Sequence, residues 1–513
     1  MSSLLLGAAD HLGHLTDISL VAGGRQAFDL HKFVLACRAP YFARKLQAQP
    51  ETTTWRLSPT IPAESLQIAL RYLYLGNLPR DLVAPGSDVT EEEVARGLDK
   101  ISKDMEIEQL WEAILAGSDR RLARQRYEDE VARARAQVDA FFRENVLGRK
   151  MVVDTNRVGE VKWKRDNSIF ADVLLRADEL VLDPSEGVDD DSQPAHTHLS
   201  NSNSNSIPIG PGASNGAAAY DGTDSSQAKP RRCALYPAHK AMLIRSEYFA
   251  KMFSGDFLES QQTEHLRVVT VDCSPEVLEL ILAFLYAEST DSITLDHALD
   301  LLYAADMLFL DALKSKAAVA ISTLGSGSAK VNIGGDGEDV KEDVYVEAEP
   351  INVYDVIRAA WDLRVQRLEE FAARYLADRL EHYIDEADFH EVILESASRI
   401  KARQETDTIE LLDDIRYYLG ERFRHRFEDT GLEDVMDDDG EINAELAATI
   451  AAAADRESAP VEDKPGEDVP NGKGDKPVVD EEDEEDEFAT EALNYQILLG
   501  KIDTMLDRLK LDA

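Results

Sequence analysis

Histidine, lysine and aspartate are the side chains of this chain whose placement first suggests chemistry, and they come in matched sets. His31-Lys32 and His239-Lys240 each open an apolar run, and each follows an aspartate heading a strand-like stretch, Asp17 before Ile-Ser-Leu-Val and Asp172 before Val-Leu-Leu. Catalysis would need a nucleophile–base pairing or a carboxylate pair in a defined setting, and neither accompanies these residues. Both histidines read as packing residues. His196 and His198 lie in a Ser/Asn-rich stretch with no cysteine or third histidine nearby, so no metal site is expected there. Cys37, Cys233 and Cys273 are too few and too scattered for a disulfide framework or a zinc site, which suggests a reducing compartment. Gly334-Gly335-Asp336-Gly337 sits in an acidic linker without the strand–turn–helix setting of a phosphate loop. The expectation is a non-enzymatic chain with no catalytic residue, no cofactor and no metal.

Those matched sets belong to a longer repeat. Residues 31–42 read HKFVLACRAPYF and residues 239–249 read HKAMLIRSEYF. Each copy is followed by a helical stretch ending in Leu-Tyr, at Leu73-Tyr74 and Leu285-Tyr286. In the first copy the pattern predicts strands over 15–22 and 26–30 turning at Gly23-Gly24, a helical face over 33–42 and a short strand at 55–57. Helices are predicted over 63–75, 94–101 and 107–114. A repeat of this length means that the fold contains two related units. Both resemble the BTB (POZ) domain, a protein-interaction fold without enzymatic activity of its own.

The predicted fold class is α+β: two BTB/POZ units, each a small sheet with a helical cluster, followed by an all-α region, with disordered acidic segments. The first unit spans 12–113 and the second 166–325. Between them, 114–165 carries alternating charges over 118–147 and reads as a solvated helical spacer. Asp17 precedes His31 by 14 residues, whereas Asp172 precedes His239 by 67. The surplus, about 183–232, is too poor in apolar residues to offset its ordering entropy and reads as a disordered insertion. A Gly/Asp/Glu-rich linker covers 326–349. Helical periodicity returns over 350–427, resembling the BACK domain that follows many BTB domains. Residues 428–487 hold 24 acidic and 4 basic residues and read as a self-repelling disordered tail. The terminal stretch 488–513 places Tyr495, Leu498, Ile502, Met505 and Leu509 on one seam, an amphipathic helix expected to dock on a partner or on the helical region.

What the resemblance implies about sites is specific. Asp17 with Lys32, and Asp172 with Lys240, would form the charged pocket that BTB domains place near their dimer interface. The second copy continues into Phe257-Leu258-Glu259, similar to the hydrophobic-x-Glu motif with which some BTB domains contact cullin-3. Aligned on Tyr-Phe, the first copy offers Pro50-Glu51-Thr52, which has no comparable anchor. Tandem BTB units followed by helices resemble the ankyrin-repeat and BTB/POZ-containing family, yet no 33-residue period precedes the first unit here.

Composition narrows the partners. Lys and Arg total 55 against 99 Asp and Glu, a net charge of −44 that repels phosphate backbones, so no nucleic acid is expected. No apolar run approaches the roughly 20 residues of a membrane span, and the N-terminal stretch lacks a basic n-region, so no membrane or secretory route is expected. The reading is an intracellular scaffold, cytoplasmic or nuclear, that pairs its two BTB units within one chain. It would bring an unidentified protein cargo to a cullin-3 ubiquitin ligase through the second unit. The alternative is a cullin-independent assembly or transcription scaffold whose acidic tail holds basic partners.

Overall fold

A computed structural model describes residues 15–23, 26–83, 89–116, 120–179, 232–255, 257–261, 263–325, 352–403, 409–429 and 481–511. The expected insertion, linker and most of the acidic tail lie outside these residues. The chain forms two compact units, one through Glu288 and one from Ser289 onward.

The first unit opens with β1 (Ile18–Ala22), whose alternating Ile18, Leu20 and Ala22 are buried, paired antiparallel with β2 (Gln26–Leu30). Gly23 takes φ +59° at the turn, a left-handed conformation that glycine adopts without side-chain strain. Two helices follow, α1 (Lys32–Arg38) and α2 (Pro40–Ala48). Then β3 (Thr54–Arg56) joins β1 in parallel, giving the sheet order β2-β1-β3. Helices α3 (Ala63–Leu75), α4 (Glu91–Asp104) and α5 (Glu108–Ala116) complete the copy. Thr90 and Glu93 close a capping box at the start of α4, satisfying two N-terminal donors.

The segment expected to be a solvated spacer is corrected by the structure. Helix α6 (Arg120–Asn145) buries Glu130, Val138, Phe142 and Asn145 against both copies, so its charges divide between a wet face and a packed one. Beyond it, β4 (Met151–Asp154) is a strand of the second sheet, paired antiparallel with β6 (Arg232–Ala238). With β5 (Val173–Asp178) and β7 (Arg267–Thr270), the order is β4-β6-β5-β7. The parallel β5–β7 pair repeats the β1–β3 arrangement. Strand β6 is buried from Cys233 to Ala238 because it is central and covered on both faces. Helices α7 (Lys240–Leu243), α8 (Glu247–Ser254) and α9 (Pro275–Ala287) fill the places of α1, α2 and α3. The one-residue difference between the copies resolves at α7, which stops after four residues where α1 runs for seven.

Among the described residues the second unit is all helical. Its first pair is α10 (Leu295–Met307) and α11 (Asp311–Leu324), followed by α12 (Val353–Leu363), α13 (Gln366–Ala377), α14 (Leu380–Tyr383), α15 (Ala387–Arg403) and α16 (Glu410–Asp429). Helices α10 and α11, which the sequence places at the end of the second BTB unit, also pack with α12 and α13. Lys314 donates to the Leu363 carbonyl at 2.7 Å, putting a cation on the part-buried C-terminus of α12. The last helix is α17 (Glu481–Leu509).

Candidate functional site

The matched Asp, His and Lys residues occupy equivalent places in the two copies. Asp17 and Asp172 each accept the backbone N–H of the following lysine, Lys32 or Lys240, at 2.7 Å through Oδ1. The lysine ammonium reaches elsewhere: Lys32 Nζ donates to the Pro50 carbonyl and Lys240 Nζ to the Glu259 carbonyl, both at 2.6 Å. Within each set the aspartate and lysine are thus joined through the lysine's backbone N–H. The carboxylate caps a short helix, and the ammonium ties that helix to the loop beyond the next one.

Each histidine is a packing residue. Tyr286 Oη accepts from the His239 backbone N–H at 3.0 Å and lies 2.7 Å from its Nδ1. His239 Nε2 is 2.8 Å from the Ile169 carbonyl, which can only accept, so Nε2 carries the proton and Nδ1 takes the tyrosine hydroxyl. Burial lowers the His239 pKa to about 4, which keeps the ring neutral. His31 and Tyr74 repeat the motif at 3.0 Å and 3.3 Å. His239 is only 2% exposed, while His31 is half-buried.

The two copies meet across aromatic rings. Phe33 of α1 lies 4.6 Å from the His239 ring, and Phe142 of α6 stacks on Tyr286 at 5.0 Å. Pairs of this kind are worth about 0.5–1.5 kcal/mol beyond their area. Beside them runs a cleft of about 430 Å³ lined by Asp17, Lys32, Arg165, Asp172 and Lys240. Burial is the largest influence on both carboxyls: Asp17 rises to about 6, opposed by the Lys32 N–H, and Asp172 to about 7, opposed by the Lys240 N–H.

A second matched set was visible as the Arg before each Tyr-Phe, but its role was not. Arg38 Nε donates to the Leu73 carbonyl at 2.9 Å, and Arg245 to the Leu285 carbonyl at 2.5 Å, each capping the helix that ends in Leu-Tyr. Both guanidiniums need an acid, and the copies supply it differently. In the second copy Glu288 follows α9 in the left-handed region, φ +56°, and binds Arg245 at 2.6 Å and Arg135 of α6 at 2.9 Å. In the first copy the same position is Gly76, and a Cβ there would stand 3.2 Å from Glu130 of α6. Glu130 pairs with Arg38 and accepts from Tyr72 Oη at 2.6 Å and Arg133 Nε at 3.0 Å. Nothing local in the sequence ties Glu130 to Arg38.

The loop after α8 holds the expected cullin contact. Phe257 is 57% exposed, Leu258 is 62% exposed and Glu259 is half-buried on a single 3-10 turn, Leu258–Ser260. Gly255 lets the Phe257 ring fold over the backbone, since a Cβ there would stand 2.8 Å from the ring. The lysine–carbonyl bonds also reset the comparison between copies. Glu259 corresponds to Pro50, so the counterparts of Phe257-Leu258-Glu259 are Ala48-Gln49-Pro50, and Gln49 and Pro50 present no large apolar side chain.

The terminal seam is filled within the chain. Tyr495, Leu498, Ile502 and Met505 are buried, Leu509 is half-buried, and Leu506, which a strict heptad leaves out, is buried too. Tyr495 packs on Phe423 of α16 at 4.9 Å, with Arg416–Asp503 at 3.0 Å and Lys501–Asp385 at 2.8 Å flanking it. Of the two docking places the seam leaves open, a partner or the helical region, this chain fills the second, because the helical region offers the apolar face that the seam needs.

Among the described residues no cluster of metal-ligating side chains occurs, and no helix is long and apolar enough to cross a membrane. His196 and His198 lie outside those residues. Residues 7–112 and 233–323 match the BTB/POZ domain. BTB/POZ domain-containing protein 3 of Schizosaccharomyces pombe is 44% identical over 206 residues, 39% of this chain and 34% of that protein. An ankyrin repeat-containing protein of Saccharomyces cerevisiae is 36% identical over 210 residues, 39% of this chain and 37% of that protein. The matched stretches span about a third of the length of these curated relatives.

Proposed function

From the two BTB/POZ domains of this tandem protein, whose fold mediates protein–protein interaction, we propose that the chain is a substrate adaptor of a cullin-3 ubiquitin ligase, recruiting through its second domain. The observation that carries this reading is the loop after α8. Two large apolar side chains, Phe257 and Leu258, stand in solvent with Glu259 one residue on, in a domain whose other large apolar groups are mostly buried. An anchor of this kind fills a partner's pocket, and the neighbouring carboxylate adds a directed polar contact. The first domain ends α2 on Ala48-Gln49-Pro50 and has no such anchor.

The exposed loop faces away from the chain's own core, while the aromatic faces of the two domains cover one another. The protein therefore brings one recruiting surface per chain. Cargo would be held elsewhere on the molecule. The test is capture of cullin-3 by the full chain and by Phe257→Ala, which should weaken binding by about 1–3 kcal/mol as removal of a hot-spot anchor does. Gln49→Ala in the first domain should leave capture unchanged. Absence of cullin-3 capture by the unaltered chain would favour the cullin-independent scaffold.

A further inference from the structure

The exposed loop needs something to hold it. An isolated apolar turn on a loop would pay ordering entropy at each encounter with a partner, so a useful anchor is fixed beforehand. We infer that Lys240 is the positioning residue of the Phe257–Glu259 loop and that its aromatic support sets the second domain apart from the first. This deepens the adaptor reading and rests on it only where binding is concerned.

Three contacts of one residue support the assignment. The Lys240 backbone N–H is held by Asp172 at 2.7 Å, which fixes where the side chain begins. Its ammonium donates to the Glu259 carbonyl at 2.6 Å, inside the turn that displays Leu258. The same ammonium lies 4.7 Å from the centre of the Phe253 ring, on the last turn of α8. The lysine thus ties the end of α8 to the middle of the loop from beneath, with only 9% of its surface exposed. A cation removed from water in this way strengthens both the carbonyl bond and the ring contact.

The first domain shows what the arrangement is without a loop to present. Lys32 makes the matching bond to Pro50, but the place of Phe253 is taken by Leu46, which has no π face. Two residues fewer separate Phe42 from Pro50 than separate Phe249 from Glu259, and α2 runs to Ala48 where α8 stops at Ser254. The lysine is common to both copies. The aromatic support and the longer, apolar loop occur together in one.

Lys240→Met keeps the stem and removes the charge. In the full chain it should speed amide exchange across Leu258–Gln261 by at least about tenfold while α9 and β5 remain protected. Capture of cullin-3 should weaken by about tenfold. Lys32→Met, the matched change in the first domain, should alter neither. If Lys240→Met does not fold, Phe253→Leu makes the same test by giving the second domain the first domain's residue. Unchanged exchange across the loop in a folded variant overturns the assignment. Loosened exchange with unchanged capture keeps Lys240 as the loop's anchor and counts instead against this loop as the cullin contact.

Discussion

Replacing Glu130 by alanine removes the one carboxylate that Arg38, Tyr72 and Arg133 share. The Arg38 and Glu130 side chains are only 3% and 4% exposed, so neither can turn to water when its partner is lost. Arg38 would keep the Leu73 carbonyl but hold an uncompensated charge in the interior. Breaking a buried pair from one side costs about 3–5 kcal/mol. For a unit of this size each kcal/mol moves the melting point by about 2–4 °C, so a drop of roughly 6–20 °C is expected. Hydrogen exchange localises it: the slow amides of α3 and β1 should exchange about two to nearly four orders of magnitude faster. Glu128→Ala, on the wet face of the same helix, should leave those amides unchanged, because its pair with Arg124 is exposed. The double change Arg38→Met/Glu130→Met should recover most of the loss, since an apolar pair of similar volume is often neutral in place of a buried ion pair. A cost below about 1 kcal/mol for Glu130→Ala would refute the argument, because it is what an exposed pair gives.

Further outcomes follow from the same geometry. Asp172→Asn keeps the acceptor for the Lys240 N–H but removes the titration. Because the folded-state carboxyl, near 7, lies above the ordinary 3.8, the folded wild type takes up its proton first. Its stability relative to the variant should therefore rise as pH falls from about 7 towards 4, read from urea midpoints across that range. His239 works in the opposite sense. Its pKa of about 4 lies below the ordinary 6.5, so its contribution is present above 6.5 and lost as pH falls from there through 4. Ile502, fully buried on the inner face of the last helix, should cost about 2–5 kcal/mol as Ile502→Ala and deprotect α16 by hydrogen exchange; no change there would show that α17 does not dock in cis. Light scattering of the full chain at micromolar concentration should give the mass of one chain, because Phe33 and His239 already cover each other; an obligate dimer would contradict this.

The sequence alone determined the duplication, the strand–helix order of the first copy and the helical character of the region after 350. These rest on short-range periodicity and on turn chemistry at Gly23, both written into neighbouring residues. It also marked Asp17, Lys32, Asp172 and Lys240 as a set, since they recur at matching places. What they hold was decided by tertiary structure. Lys240 finds Asp172 across 68 residues and Arg38 finds Glu130 across 92, and partners at such separations leave no local pattern. The spacer read as solvated because its charges alternate; folding turned one of them, Glu130, inward to complete an arginine cap that Gly76 could not serve. The terminal seam was legible as a helix face, but its occupant was not, because an apolar stripe specifies that it must be covered and leaves open by what. Only the packed helices of the second unit supplied that answer, with Phe423 beneath Tyr495.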